Sequence, residues 1–181
     1  MTTIACPVCA SKDTARHEKM GSGKLTLGPE FAFKEILYRC NSCQEEGDFT
    51  EESDKNYLFA QKNAQALLVK NIIDDMSNVG ISMAMLERVF ELPQRTLTRW
   101  KNGDFSASAL ALLRIIVTYP WMIGVAENRF ERSYASFILI KVGIDELERS
   151  MNPEISYTTS KVEINQQPSH LLFNRNIETG A

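Results

Sequence analysis

The sequence predicts a mainly α protein with a small β-containing, metal-clipped module at its N-terminus. Three observations predict this. All four cysteines fall in two Cys-x-x-Cys pairs, Cys6/Cys9 and Cys40/Cys43. From about residue 55 onward, apolar residues recur at helical spacing in one segment after another. Between those segments stand turn and cap signals: Asn78-Val79-Gly80, Glu91-Leu92-Pro93, Asn102-Gly103 and Pro120. The expected organisation is a four-cysteine zinc domain over 1–54, a five-helix domain over 55–126, and an extension over 127–181 that is a helix followed by a partly disordered tail.

In the first module, residues 10–39 separate the two cysteine pairs. Each x-x turn brings two sulfurs and several backbone N–H groups toward one point, which suits a closed tetrahedral thiolate site. The expected cofactor is one structural Zn2+ per chain, held by Cys6, Cys9, Cys40 and Cys43. Two disulfides or one redox pair are the alternatives. A reducing cytosol disfavours the disulfides, and no βαβ unit is present to support a redox pair. The long gap predicts a metal that clips a small sheet rather than a tight finger. Gly21-Ser22-Gly23 and Gly28-Pro29 read as turns, with short strands near Leu25–Leu27 and Ile36–Arg39. His17 and His170 read as surface histidines. The acidic stretch from Gln44 to Asp54 reads as a solvated boundary. So small a module draws much of its stability from the metal.

The helical part begins with Leu58, Leu67, Leu68, Ile72 and Met76 on one face, over about Asn56 to Asn78. Next, Leu86, Val89 and Phe90 define a short helix, and Leu92, Thr96, Leu97 and Trp100 a second one after the break at Pro93. On the second helix Leu97 and Trp100 point inward. Gln94, Arg95, Thr98 and Arg99 are expected on the opposite face, with Lys101 beside them. Two arginines, an amide and a hydroxyl on one face suit contacts to bases and phosphates. Ser106 is a good N-cap for a helix carrying Leu110, Leu113, Ile116 and Val117, which stops before Pro120. Trp121, Met122 and Val125 form a fifth short helix. Phe137–Ile140 fits a buried helix or a strand, and so short an apolar run does not decide between them. Beyond Asn152 the chain is polar, with a β-prone patch at Val162–Ile164.

The run from Ile81 to Gly103 resembles the helix-turn-helix of the phage-repressor (Cro-like, or XRE-type) family. The ending Arg99-Trp100-Lys101-Asn102-Gly103 carries the resemblance most strongly. Three residues depart from the family pattern. Met83 stands where a phosphate-binding Gln is usual, Glu87 where a small residue is usual, and Glu91 where the turn usually has glycine. A second resemblance covers roughly residues 1–125. Cys6-Pro7-Val8-Cys9, Tyr38-Arg39-Cys40-Asn41-Ser42-Cys43, the acidic Glu51-Glu52-Ser53-Asp54, Arg99-Trp100, and Leu112-Leu113-Arg114 with Tyr119-Pro120 are together similar to the MqsA antitoxin group with its YgiT-type zinc domain. The resemblance implies a homodimeric repressor on a palindromic operator of double-stranded DNA, with a zinc module that binds a toxin ribonuclease. Its two base-reading positions, an Asn and an Arg, fall on Arg95 and Arg99. Arg95 in place of the Asn implies a different operator, with guanine favoured over adenine.

Composition bounds the function further. A hydrophobic fraction of 44% with 24% charged residues is that of a globular protein. The net charge of -3 excludes a strongly basic nucleic-acid coat but leaves room for a local basic face. No apolar run approaches the roughly 20 residues that span a bilayer. Without a basic n-region and apolar h-region at the start, a cytoplasmic location is expected. No phosphate loop or His-x-Glu pattern is present, and a four-Cys site leaves the metal no open position, so no enzyme is expected. The expected function is a sequence-specific DNA-binding regulator with Gln94, Arg95, Thr98, Arg99 and Lys101 at the DNA. The alternative is a protein-interaction adaptor that uses the zinc module and C-terminal tail.

Overall fold

The computed structural model describes residues 4–151 of the chain. The expectations at Asn152 and beyond, the patch at 162–164 and His170 lie outside these residues. A three-stranded antiparallel sheet is followed by helices. The strands are β1 (Thr14–Lys24), β2 (Glu30–Cys40) and β3 (Glu46–Gly47), in the order β1-β2-β3. Among the described residues the helices number six: α1 (Glu52–Asn78), α2 (Met83–Val89), α3 (Thr96–Lys101), α4 (Ala107–Thr118), α5 (Met122–Glu127) and α6 (Arg132–Met151). The expectation is five helices over 55–126; these six run from Glu52 to Met151, and the five-helix arrangement is not confirmed. Two compact units result. One takes in 4–71 with 101–103, the other 72–100 with 104–151.

In the first unit β1 and β2 form a long hairpin, with Thr14 opposite Cys40 and Lys24 opposite Glu30. The hairpin loop is Leu25–Pro29, so the expected strand at Leu25–Leu27 is a turn instead, and Leu27 is left-handed there. Gly21 and Gly23 are strand residues rather than turn residues. They pair with Phe33 and Phe31 across the sheet. A Cβ on Gly21 would fall 2.6 Å from the Phe33 ring tip, and one on Gly23 would fall 2.4 Å from that of Phe31. The glycines therefore make room for rings laid across β1. On β2 those rings meet Tyr57 of α1, Phe31 at a centroid distance of 5.5 Å and Phe33 at 5.1 Å.

The acidic stretch expected as a boundary is built into this unit. Glu46–Gly47 pairs with Tyr38 and Arg39 as β3. The Asp48 carboxylate accepts hydrogen bonds from the N–H groups of Thr50 (2.9 Å) and Ser53 (2.6 Å), and so caps the start of α1. Burial opposes the Asp48 charge. The Thr50 and Ser53 amides and hydroxyls outweigh it and hold the carboxyl below its ordinary pKa. Ser53 is itself buried. Its hydroxyl accepts from the Ile36 N–H (2.7 Å) and donates to the Ile36 carbonyl (2.9 Å), fastening α1 to β2. The buried stripe of α1 is Ala64, Leu68, Val69, Ile72, Ile73 and Met76. Leu58 and Leu67, expected on that face, are exposed.

Three helices end alike. After α1, α2 and α3, a left-handed residue follows the C-cap and lets the next N–H reach back five residues: Ile81 to the Met76 carbonyl, Leu92 to Glu87, and Asp104 to Arg99. Gly80 and Gly103 hold that position cheaply, but Glu91, at φ 53°, must hold it with a side chain. Ser106 caps α4 by accepting from Ala109, as the sequence predicts. The core gathers Ile81, Leu86, Val89, Leu97, Leu110, Leu113, Ile116 and Ile123. Val117, expected inside, is exposed, since it lies one residue past the buried row. The Phe137–Ile140 run is helical in α6, and α6 buries none of its side chains.

Candidate metal centre and nucleic-acid-reading helix

Two elements of the first unit carry the cysteines. Cys6 and Cys9 lie just ahead of β1, while Cys40 ends β2 and Cys43 follows it. The hairpin register places Thr14 opposite Cys40, so the two pairs meet at the end of the sheet away from the hairpin loop. The pairs are built on the same plan. The Cys6 N–H donates to the Ser11 carbonyl and the Cys40 N–H to the Glu45 carbonyl, each at 2.8 Å. Ala10 and Gln44, both left-handed, then donate back to the Cys6 and Cys40 carbonyls, each at 2.9 Å. Asn41 and Ser42 of one pair bond Asp13 and Ser11 beside the other.

All four Sγ atoms lie within 4.8 Å of one another. Cys6 is 3.6 Å from Cys43, and Cys9 is 3.6 Å from Cys40. A tetrahedral thiolate site with sulfurs about 2.3 Å from a zinc ion has sulfur–sulfur edges of about 3.8 Å. The four residues therefore fit one metal ion. The amides of Cys43 and Ser42 point at the Cys40 sulfur and hold its pKa down to about 6. Cys43 receives the Glu45 amide, but the crowding of Cys9 above all, with partial desolvation and the Cys6 and Cys40 sulfurs, pushes it up to about 12. Four thiols this close share their protons unevenly, and a cation among them is what favours all four as thiolates. The spacing already pointed to these ligands. His17 lies exposed on β1 and is not among them.

The second candidate site is α2, the turn after it, and α3. Leu97 is buried and Trp100 half-buried, so the inward side of α3 is the one the sequence predicts. Thr98 and Arg99 are exposed on the helix. Gln94 and Arg95 are exposed too, but they precede the helix rather than share its face. Arg95 has φ 65°, and its carbonyl accepts the Arg99 N–H at 3.0 Å. Arg95 is thus one turn ahead of Arg99 at the edge of α3, and its left-handed backbone is what departs from the expected shared helical face. Lys101 ends α3 and is half-buried.

Two groups hold these residues in ways the sequence did not reveal. The Glu87 carboxylate of α2 accepts from the N–H groups of Arg95 (3.1 Å) and Leu97 (2.8 Å). It thus caps α3 from another helix, which accounts for a charged residue where the helix-turn-helix pattern has a small one. Asp104 accepts from Arg99 through Nε at 2.8 Å and Nη2 at 2.6 Å. No sequence pattern announces the Glu87 cap. The Asp104 contact had a weak signal, an acid five residues from an arginine across Gly103.

In comparisons with known proteins, the chain matches no family model, no curated protein and no solved structure. Among the described residues, no helix is long and apolar enough to cross a membrane.

Proposed function

We propose that this chain is a sequence-specific DNA-binding transcriptional regulator, a repressor stabilised by one structural zinc ion. The observation that carries the reading is the exposed set Gln94, Arg95, Thr98 and Arg99 on a short helix and the turn before it. Two helices joined by such a turn are the framework that reads a major groove. Arg99 and Arg95 are assigned to base edges. Gln94 and Thr98 support them at bases or phosphates, and Lys101 serves the backbone beside α3. Cys6, Cys9, Cys40 and Cys43 would hold the zinc, which closes the end of the sheet and takes no part in chemistry. This is the role implied by the resemblance to the MqsA and XRE-type groups. A cytoplasmic homodimer, paired through α4 and the residues after Pro120, and a toxin partner at the zinc module belong to the same reading. Exposed Ile115 and Tyr119 on and beside α4 support the pairing.

Arg99→Ala tests the reading. A bidentate arginine–guanine contact is worth about 1–3 kcal/mol of discrimination. The variant should bind a selected operator roughly ten- to a hundredfold more weakly and tolerate more base changes. Unaltered affinity and specificity in a folded Arg95→Ala/Arg99→Ala double variant would refute it.

A second reading, a protein-interaction adaptor, is favoured by a specific feature of the first unit. A groove of about 490 Å³ runs between β2 and the first part of α1, lined by Phe31, Phe33, Phe59, Ala64 and Leu67 among others. Phe59 and Leu67 are exposed along it. Retention of a protein partner by a chain whose Arg95→Ala/Arg99→Ala variant functions normally in the cell would put this reading first.

A further inference from the structure

The helix α6 keeps a continuous apolar row away from the other described residues of its unit. Tyr134, Ile138 and Val142 are half-buried, while Phe137, Ile140, Ile144, Leu147 and Met151 are between 49% and 77% exposed. Steps of three, four, three and four residues separate that exposed row. This is the spacing of the a and d positions of a heptad, the seam of a two-helix coiled coil. We propose that α6 pairs antiparallel with α6 of a second copy of this chain.

The residues flanking the row decide both the occupant and the direction. On one flank stand Lys141 and Glu148, one heptad apart. When two copies run antiparallel, Lys141 of each lies against the glutamate of the other, giving two opposite-charge pairs. In a parallel pair the same positions would face Ser136 and Gly143, and no charge would be matched. On the other flank stand Ser136, Gly143 and Ser150, small residues at heptad spacing. Gly143 weakens a helix interior relative to other residues. Yet among the described residues a Cβ added there would meet nothing within 4 Å. None of the described residues requires a glycine there, and a glycine lets a second helix approach closely. The exposed row offers roughly 1,000 Å² to the pair of helices, about the threshold of a specific interface.

This pairing rests on the homodimer of the proposed function and deepens it by assigning α6 as the part after Pro120 that pairs. Its test uses the full chain without DNA, so failure here leaves the reading of α3 standing and failure of α3 leaves this one standing. Light scattering at micromolar concentration should give twice the chain mass. Gly143→Leu raises helix propensity, so α6 still forms, but it should turn the dimer into monomer. Lys141→Glu and Glu148→Lys should each weaken self-association by roughly fivefold to tenfold. Mixed one to one, these two variants should recover a dimer, because an antiparallel mixed pair matches every charge. A wild-type monomer would overturn the proposal, including one whose α6 is protected from hydrogen exchange by its own residues 152–181. A dimer untouched by Gly143→Leu, or charge variants that fail to recover on mixing, would overturn it equally.

Discussion

Replacing Glu87 by alanine separates two accounts of the α2–α3 turn. The helix-turn-helix resemblance has a small residue at this position, and by that pattern Glu87→Ala should be harmless or stabilising. The structure argues the reverse. The carboxylate satisfies two N–H groups at the start of α3, those of Arg95 and Leu97, and the Leu97 bond is partly buried. With only six residues, α3 has few other means of satisfying those donors. Loss of one helix cap costs about 0.5–2 kcal/mol, and a hydrogen bond to a charged group about 1.5–3 kcal/mol. Alanine returns a few tenths of a kcal/mol through its helix propensity in α2. The net expectation is a loss of about 1.5 kcal/mol. With a urea dependence of about 1–3 kcal/mol per molar, the unfolding midpoint of the helical unit should fall by about 0.5–1.5 M. Glu87→Gln keeps a single acceptor oxygen and should lose about half as much. Unfolding followed by circular dichroism measures both. An unchanged or raised midpoint for Glu87→Ala would refute the capping role and favour the expectation drawn from the helix-turn-helix resemblance.

Other variants test other elements. Glu91→Gly should raise the unfolding midpoint, by about 0.5–1 kcal/mol of stability, because glycine holds φ 53° without strain, and a lowered midpoint would contradict this. Gly23→Val should destabilise the first unit by about 1–3 kcal/mol, since its Cβ lands on the Phe31 ring packed against Tyr57, while a neutral result would mean the rings move freely. Asp48 has a depressed pKa in the folded chain, so its contribution is complete above its ordinary value of 3.8 and fades as pH falls through the lower folded value. Acid titration of Asp48→Asn should accordingly show less loss of stability below about pH 4 than the wild type. Asp104→Asn frees the Arg99 guanidinium from an exposed ion pair and should tighten operator binding about two- to fivefold, whereas weaker binding would show that Asp104 positions Arg99 for DNA.

The cysteine cluster was the most legible part of the chain, because two Cys-x-x-Cys pairs specify a geometry by chemistry alone. The helix ends were legible wherever glycine or serine carries the cap, as at Gly80, Gly103 and Ser106. They were not legible where another residue adopts the same backbone. Ala10, Gln44 and Glu91 are left-handed without advertising it, so the matching of the two cysteine turns and the left-handed cap at the predicted end of α2 stayed hidden. Gly21-Ser22-Gly23 misled for the opposite reason. Glycine signals a turn or a close approach equally well, and only the partner strand shows that rings lie over these two. The acidic stretch misled because Asp48 and Ser53 act through hydrogen bonds to backbone, which charge patterning does not reveal. Counting residues puts Arg95 on a helix face, but Pro93 and the Glu87 contact delay α3 until Thr96.

The most direct measurement for the central claim is selection of duplexes from a random library by the zinc-loaded full chain, repeated with Arg99→Ala. The account predicts one enriched motif for the wild type, with guanine prominent at the contacted positions and two inverted half-sites about 10 base pairs or a multiple of it apart. It predicts that Arg99→Ala loses preference at one position of each half-site while the zinc content and fold persist. A wild-type selection with no motif, or a motif that Arg99→Ala reproduces unchanged, would contradict it.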